Sequence, residues 1–254
     1  EDGVGKEIVM VIDVPEIDSG DIWYTDSNGQ EMQRRKRNYR STWNLTTDQI
    51  SSSNYYPVTS AISIQDNSTG ARFTLLTDRA HGGTSLQSSQ IELMLHRRMI
   101  CDDRRGVVEP LNETDYDGKG LRQWFTQRII FSNSSNEQRS AQYLLDQPLM
   151  VYTAPHNETF EFYSVRKTKD NVLAANLPKN IKINVKPYSE TEFVIWVHNM
   201  NEFDVTVPTT SLSDYLTDGV SQPKYQELSL SANQVKSEMV QRKPTWNGVE
   251  HPTF

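Results

Sequence analysis

The groups most able to do chemistry are the carboxylates of Asp102, Asp103, Glu109 and Glu113, which crowd into one short arginine-rich stretch. Two carboxyl groups can hydrolyse a glycosidic bond when they face each other across a sugar, about 5 to 9.5 Å apart. Acids so close along a chain are more often loop structure, and the alternation of acids with Arg97, Arg98, Arg104 and Arg105 reads first as a network that holds a long loop in one conformation. His81 stands between Thr77-Asp78-Arg79 and Gly82-Gly83. It is one histidine without a ligand set, so no metal is expected to be held by this chain. The glycines permit close backbone approach to a partner or ligand, or else form a tight connection with Asp78 and Arg79 paired to adjacent strands. The single Cys101 can form neither an internal disulfide nor a cysteine-based zinc site. There is no His-Glu-x-x-His helix, nucleotide-binding glycine loop or Gly-x-Ser-x-Gly elbow, so the sequence holds no complete catalytic apparatus.

The elements that must position these groups are short strands. Glu7 to Val14, Asp21 to Thr25, Ala61 to Gln65, Arg72 to Thr77, Ile91 to Ile100 and Gln123 to Phe131 alternate or are rich in β-branched and aromatic residues, and turn residues bound them. Asp26-Ser27-Asn28-Gly29 predicts a hairpin from Ile22 to Met32, because Asn-Gly readily takes the positive φ angles of tight turns. Further strands are expected at Leu149 to Thr153, Thr159 to Val165, Ile181 to Val185, Glu192 to His198, Asp204 to Val207 and Tyr225 to Leu230. Phe193 to Val197 is continuously apolar and reads as a central strand. Short helical turns are expected only at Ala141 to Leu145 and Ser211 to Leu216, and the polar run Ser132 to Asn136 reads as a connector. The class is all-β, with β-sandwich domains at residues 1–152 and 153–254 and a junction near Pro148 to Pro155.

A chain of 254 residues can bury a real core. With 35% hydrophobic and 23% charged residues, and no apolar run of about 18, it offers no membrane span. A net charge of -7 argues against a general nucleic-acid binder, and the basic run Arg34-Arg35-Lys36-Arg37 reads as a solvated turn or strand end. Asn-x-Ser/Thr sequons at Asn44, Asn67, Asn112, Asn133 and Asn157 sit among turn residues and favour the secretory pathway. Glu1 opens an acidic stretch unlike a signal peptide, so a targeting segment is expected upstream or removed.

One set of motifs is specific. Tyr24 to Gly29, Arg37-Asn38-Tyr39-Arg40, Asn54-Tyr55-Tyr56-Pro57-Val58, Leu76 to Arg79 with Gly82 to Leu86, and Glu92 to Arg98 followed by Asp102 to Gly106 resemble, in order and spacing, the C-terminal region of glycoside hydrolase family 38. The likeness is strong over residues 5 to 125 and closest to lysosomal members. It implies β-sandwich domains from the C-terminal part of a retaining exo-α-mannosidase that acts on glycoprotein-derived oligosaccharides in the lysosomal lumen or secretory pathway, with proteolytic processing as one origin of the chain. It also implies that the nucleophile, the acid and the zinc ligands lie on an N-terminal α/β barrel, a partner of this region, so none of those roles is carried onto this chain. What it assigns here is pocket lining by a tyrosine of the Asn-Tyr-Tyr-Pro motif, with Tyr56 favoured over Tyr55 and His198 as a more distant candidate. Val107-Val108-Glu109 departs from the family pattern, and nothing in that pattern accounts for Cys101. The competing expectation is a non-enzymatic lumenal or extracellular glycan-binding module.

Overall fold

The computed structural model describes residues 5–26, 29, 31–102, 104–106, 109–147, 177–189, 192–201, 203–208, 227–232 and 234–241. The chain divides into two compact units, residues 1–147 and 148–254. No described helix is long and apolar enough to cross a membrane.

The first unit is a sandwich of two antiparallel sheets. One contains β1 (Lys6–Asp13), β4 (Tyr56–Val58), β7 (His81–Thr84) and β8 (Gln90–Arg98), in the order β1-β8-β7-β4. The other contains β2 (Ile22–Asp26), β3 (Met32–Lys36), β5 (Ala61–Gln65), β6 (Arg72–Thr77) and β9 (Gln127–Ser132), in the order β3-β2-β5-β6-β9. Strand side chains alternate between faces, so every second residue turns inward. Trp23, Ile62, Ile64, Phe73 and Leu75 from the five-stranded sheet meet Val58, Ile91 and Leu93 from the four-stranded one in a single buried core. At about 1.5 to 3 kcal/mol per buried apolar side chain, this layer is the main source of the unit's stability.

Two short strands that the sequence reading missed complete the four-stranded sheet. The first, β4, follows a helical turn, α1 (Ile50–Asn54), and pairs Tyr56 with Gly83 and Pro57 with Gly82. The second, β7, carries the Gly82-Gly83 pair, so these glycines belong to a strand rather than to a tight connection. A Cβ on Gly83 would stand 2.7 Å from Val58 Cγ2 and 2.9 Å from Ile62 Cδ1, and one on Gly82 would stand 3.2 Å from the Tyr55 ring. The close approach they permit is to the protein's own neighbouring strands.

The hairpin of β2 and β3 pairs Asp26 with Met32 and Ile22 with Lys36, so it reaches four residues beyond the expected Met32. The Asp26 carboxylate, fully buried, accepts from Ser60 N at 2.9 Å, Ser60 Oγ at 2.7 Å and Ala61 N at 2.8 Å. These charge-assisted bonds fix the start of β5.

A second helix, α2 (Ser135–Asp146), contains the helical turn expected at Ala141 to Leu145 and reaches back over Ser135 and Asn136, the last two residues of the run expected as a connector. Ser134 caps it, accepting from Asn136 N at 3.3 Å. Apolar periodicity could not announce its full length because its inward face, with Gln138, Arg139 and Gln142 buried, is polar. Arg139 Nη1 and Gln142 Nε2 donate to the Gly29 carbonyl at 2.9 and 3.1 Å. Before it, β9 begins at Gln127 rather than at Gln123.

In the second unit, β10 (Ile181–Pro187), β11 (Glu192–Asn199) and β14 (Val235–Gln241) form one antiparallel sheet with β11 central, as its apolar sequence predicts. A two-stranded ladder pairs β12 (Val205–Pro208) with β13 (Glu227–Leu230). Ile195, Val197, Val207 and Leu230 make their core. The strand β14 was not foreseen. The elements expected at Leu149 to Thr153, Thr159 to Val165 and Ser211 to Leu216 lie outside the described residues.

Candidate functional site

Tyr55 and Tyr56 stand where α1 passes into β4, and strand alternation sends them to opposite faces of the sheet. Tyr56 is half-buried on the core side. Its ring packs edge-on against Trp23, with centroids 5.9 Å apart. The guanidiniums of Arg35 and Arg40 both lie over the same ring, each 4.2 Å from its centroid. Arg35 is fixed in turn by its Nε bond to Thr25 Oγ1 at 3.0 Å, and Arg40 by an Nη2 bond to the Ser53 carbonyl at 2.6 Å. Burial pulls the Arg35 guanidinium below its ordinary value; the Tyr56 ring opposes that shift, and the nearby Arg40 charge adds to it. Among the described residues no hydrogen bond engages the Tyr56 hydroxyl, while the arginines cover ring surface. The hydroxyl, rather than the covered ring, is therefore the group with capacity left for a ligand.

Tyr55 differs. Its hydroxyl donates to Glu92 Oε1 on the outer side of β8. Burial, the Glu92 bond and the charges of Glu92 and Glu7 together push its phenol well above the ordinary value, so it remains a proton donor throughout the physiological range. The same face carries a cleft of about 460 Å³ whose lining includes His81, Gly82, Met94, His96, Arg97 and Glu113. A neighbouring hollow of about 200 Å³ shares His96, Arg97 and Glu113 and adds Lys6 and Arg98.

The imidazole of His81 is pinned at Nδ1, which donates to the Met94 carbonyl at 2.8 Å, and this leaves Nε2 as the acceptor. That atom is buried and has no hydrogen-bond partner among the described residues. Burial holds His81 below its ordinary pKa, opposed by the Met94 carbonyl and Asp78. The Phe125 ring lies beside it at 5.7 Å, with His96 at 6.5 Å and the Arg79 guanidinium at 5.0 Å. This surface offers a polyhydroxylated ligand the Arg97 donors and the Glu113 carboxylate, while the buried His81 Nε2 stays out of reach. Among the described residues Glu113 is the one carboxylate lining either cleft. Asp102 is used locally, accepting from Arg104 N at 3.1 Å.

Asp78 and Arg79 do not pair to adjacent strands as expected. They pair with each other at 3.1 Å and grip the segment before β9: Arg79 donates to the Trp124 carbonyl at 2.8 Å, and Asp78 Oδ2 accepts from Thr126 N at 2.9 Å. The bond to Arg79 is the main cause that holds the Asp78 carboxyl below the ordinary range. His198 belongs to the second unit, half-buried on β11 and in register with Lys182 and Val235. Asn44, Asn67, Asn112 and Asn133 are all exposed, whereas Asn157 lies outside the described residues. Sequence reasoning missed Arg35 and Arg40. The signal lay in the basic run, whose Arg35 faces inward from a strand instead of entering solvent at a turn. Among the described residues no group of three or more His, Cys, Asp and Glu could hold a metal ion.

Residues 3–105 match the glycosyl hydrolases family 38 C-terminal domain. Among curated proteins, the chain is 37% identical over 188 residues to a lysosomal alpha-mannosidase of Bos taurus, covering 72% of this chain and 18% of that protein. It is 34% identical over 213 residues to a lysosomal alpha-mannosidase of Dictyostelium discoideum, covering 80% of this chain and 20% of that protein. To a probable alpha-mannosidase of Arabidopsis thaliana it is 30% identical over 258 aligned residues, covering 97% and 25%. The chain thus spans a quarter or less of the length of these relatives. Its antiparallel sheets and the family match agree: the chain belongs to glycosyl hydrolase family 38, within that family's C-terminal region.

Proposed function

We propose that this region works as the C-terminal part of a retaining exo-α-mannosidase that removes terminal α-linked mannose from glycoprotein-derived oligosaccharides. The catalytic carboxylates and the zinc belong, on this reading, to an N-terminal α/β barrel, which this chain supports and whose active site it partly lines. Lysosomal relatives and four exposed sequons support a lysosomal or secretory location with glycans on at least two of these asparagines.

The observation that carries the lining role is the division of labour between the two tyrosines. Tyr55 spends its hydroxyl on Glu92, whereas Tyr56 is held rigidly by two arginines and Trp23 with its hydroxyl uncommitted. A positioned donor that binds more tightly as the sugar distorts stabilises the transition state more than the ground state. In the full-length enzyme, Tyr56→Phe should lower turnover on a mannoside by roughly two- to twelvefold, the equivalent of about 0.5 to 1.5 kcal/mol, with unchanged thermal unfolding. Steady-state kinetics beside a melting curve decide the matter. Unchanged turnover removes Tyr56 from the active site, and a large loss of stability with normal turnover per folded molecule makes it a core residue.

A further inference from the structure

The inner face of the five-stranded sheet ends abruptly. One row runs across it in register from Thr25 through Ile62 and Leu75 to Ile129, and another from Ile64 through Phe73 to Phe131. Along both rows the β2, β5 and β6 residues are at most 2% exposed, yet Ile129 and Phe131 on β9 are 54% and 65% exposed. Phe131 continues the core chemically, packing edge-on against Phe73 at 5.0 Å. What fails on that side is the cover. The four-stranded sheet places its edge strand β1 there, and no described strand pairs with the outer edge of β9. On the opposite side the sandwich is plugged by Tyr56 under Arg35 and Arg40. Just ahead of β9, Trp124 is 91% exposed although its backbone is gripped by Arg79.

An apolar, unpaired edge is a ready template for another strand, and proteins that keep one in isolation protect it with charges, proline or a bulge. β9 carries one charge, Arg128, whose guanidinium is turned to the Ala141 carbonyl of α2 at 3.2 Å, and from Ile129 to Phe131 the edge has none of these devices. We propose that the β9 edge is the docking site for an extended apolar segment from the remainder of the mannosidase polypeptide, which adds a sixth strand to the sheet and lays its inward side chains over Ile129 and Phe131. The inference rests on the reading that this region works within a full-length α-mannosidase. Two observations select this occupant. The matched regions cover only 18% to 25% of these relatives, so most of such a polypeptide lies outside this chain. A second copy would instead bring together two bodies each carrying a net charge of -7.

Hydrogen-exchange mass spectrometry on the full-length polypeptide and on the 254-residue chain tests the proposal, with mannosidase activity measured on the same preparation. The free-side amides of β9 should exchange at least about tenfold more slowly in the full-length protein. Phe131→Asp should lower the melting of the 254-residue chain only by the loss of its edge-on contact with Phe73, and lower that of the full-length protein further. Equal exchange in the two forms, or equal effects of Phe131→Asp in both, overturns the proposal. So does protection that appears in the 254-residue chain as its concentration rises, which assigns the edge to a second copy. An active polypeptide with a freely exchanging β9 defeats the docking site alone. An inactive one with a protected β9 defeats only the mannosidase reading.

Discussion

The two faces of β4 and β7 carry similar residues to opposite ends. On the inner face Tyr56 and Gly83 pair in register, and the tyrosine is packed between Trp23 and two arginines while the glycine makes room for Val58 and Ile62. On the outer face Tyr55 packs over Gly82 and bonds to Glu92 beside an open cleft. A shift of one residue along a strand therefore changes a tyrosine from one that completes a core with its hydroxyl to spare into one whose hydroxyl ties down a surface. Residue type is the same on both faces. What differs is the density behind each side chain and hence how much a substitution must displace.

The glycine pair gives the largest test of this contrast. Gly83→Ala places a methyl against two packed core side chains and should cost about 1 to 3 kcal/mol, whereas Gly82→Ala meets a single ring with freedom to yield and should cost less than about 1 kcal/mol. Chemical denaturation of the two variants measures both, and equal costs would break the distinction between faces.

The tyrosine pair comes next. Tyr55→Phe removes a bond to a partly exposed carboxylate and should reduce stability by about 1 kcal/mol, with kcat and KM of the full-length enzyme unchanged. This is the reverse of the pattern expected for Tyr56→Phe. If Tyr55→Phe lowers turnover while Tyr56→Phe does not, the assignment of the two hydroxyls is inverted.

The smallest effect lies at His81, on the margin of the outer cleft. Burial depresses its folded pKa below the ordinary histidine value of about 6.5, so the unfolded chain takes up a proton first as pH falls. The full contribution is present above that unfolded value and is lost as pH falls through the folded one. Thermal unfolding of the native chain should therefore weaken more steeply between about pH 7 and pH 5 than that of His81→Gln. Parallel pH profiles would mean that the imidazole is solvated like one in an unfolded chain.

Much of the fold was legible because alternation is a local signal. The runs read as β1, β2, β5, β6, β8, β10, β11, β12 and β13 each carry enough β-branched and aromatic residues, between turn residues, to be found without neighbours. The strands β4 and β7 were not found. A proline and two glycines occupy half or more of their interior positions, and only pairing with each other and with β8 makes them strands. Of helix α2 only the turn at Ala141 to Leu145 was read; its first half escaped for a related reason, since its buried face is built to donate to the Gly29 carbonyl rather than to pack apolar side chains.

The candidate site follows the same division. The sequence by itself determined the all-β class, the Asn-Tyr-Tyr-Pro motif and its family, because these depend on residue type and spacing along the chain. It also marked the sequons, whose turn-forming neighbours keep four of them at the surface. Tertiary structure alone decided that Arg35 and Arg40 lie over Tyr56, that Glu92 engages Tyr55, and that the apolar rows of the sheet run uncovered onto Ile129 and Phe131. Those facts join residues that pair across strands or pack between sheets. Their partners are set by which strands lie side by side and which face each side chain takes, and no local pattern encodes that choice.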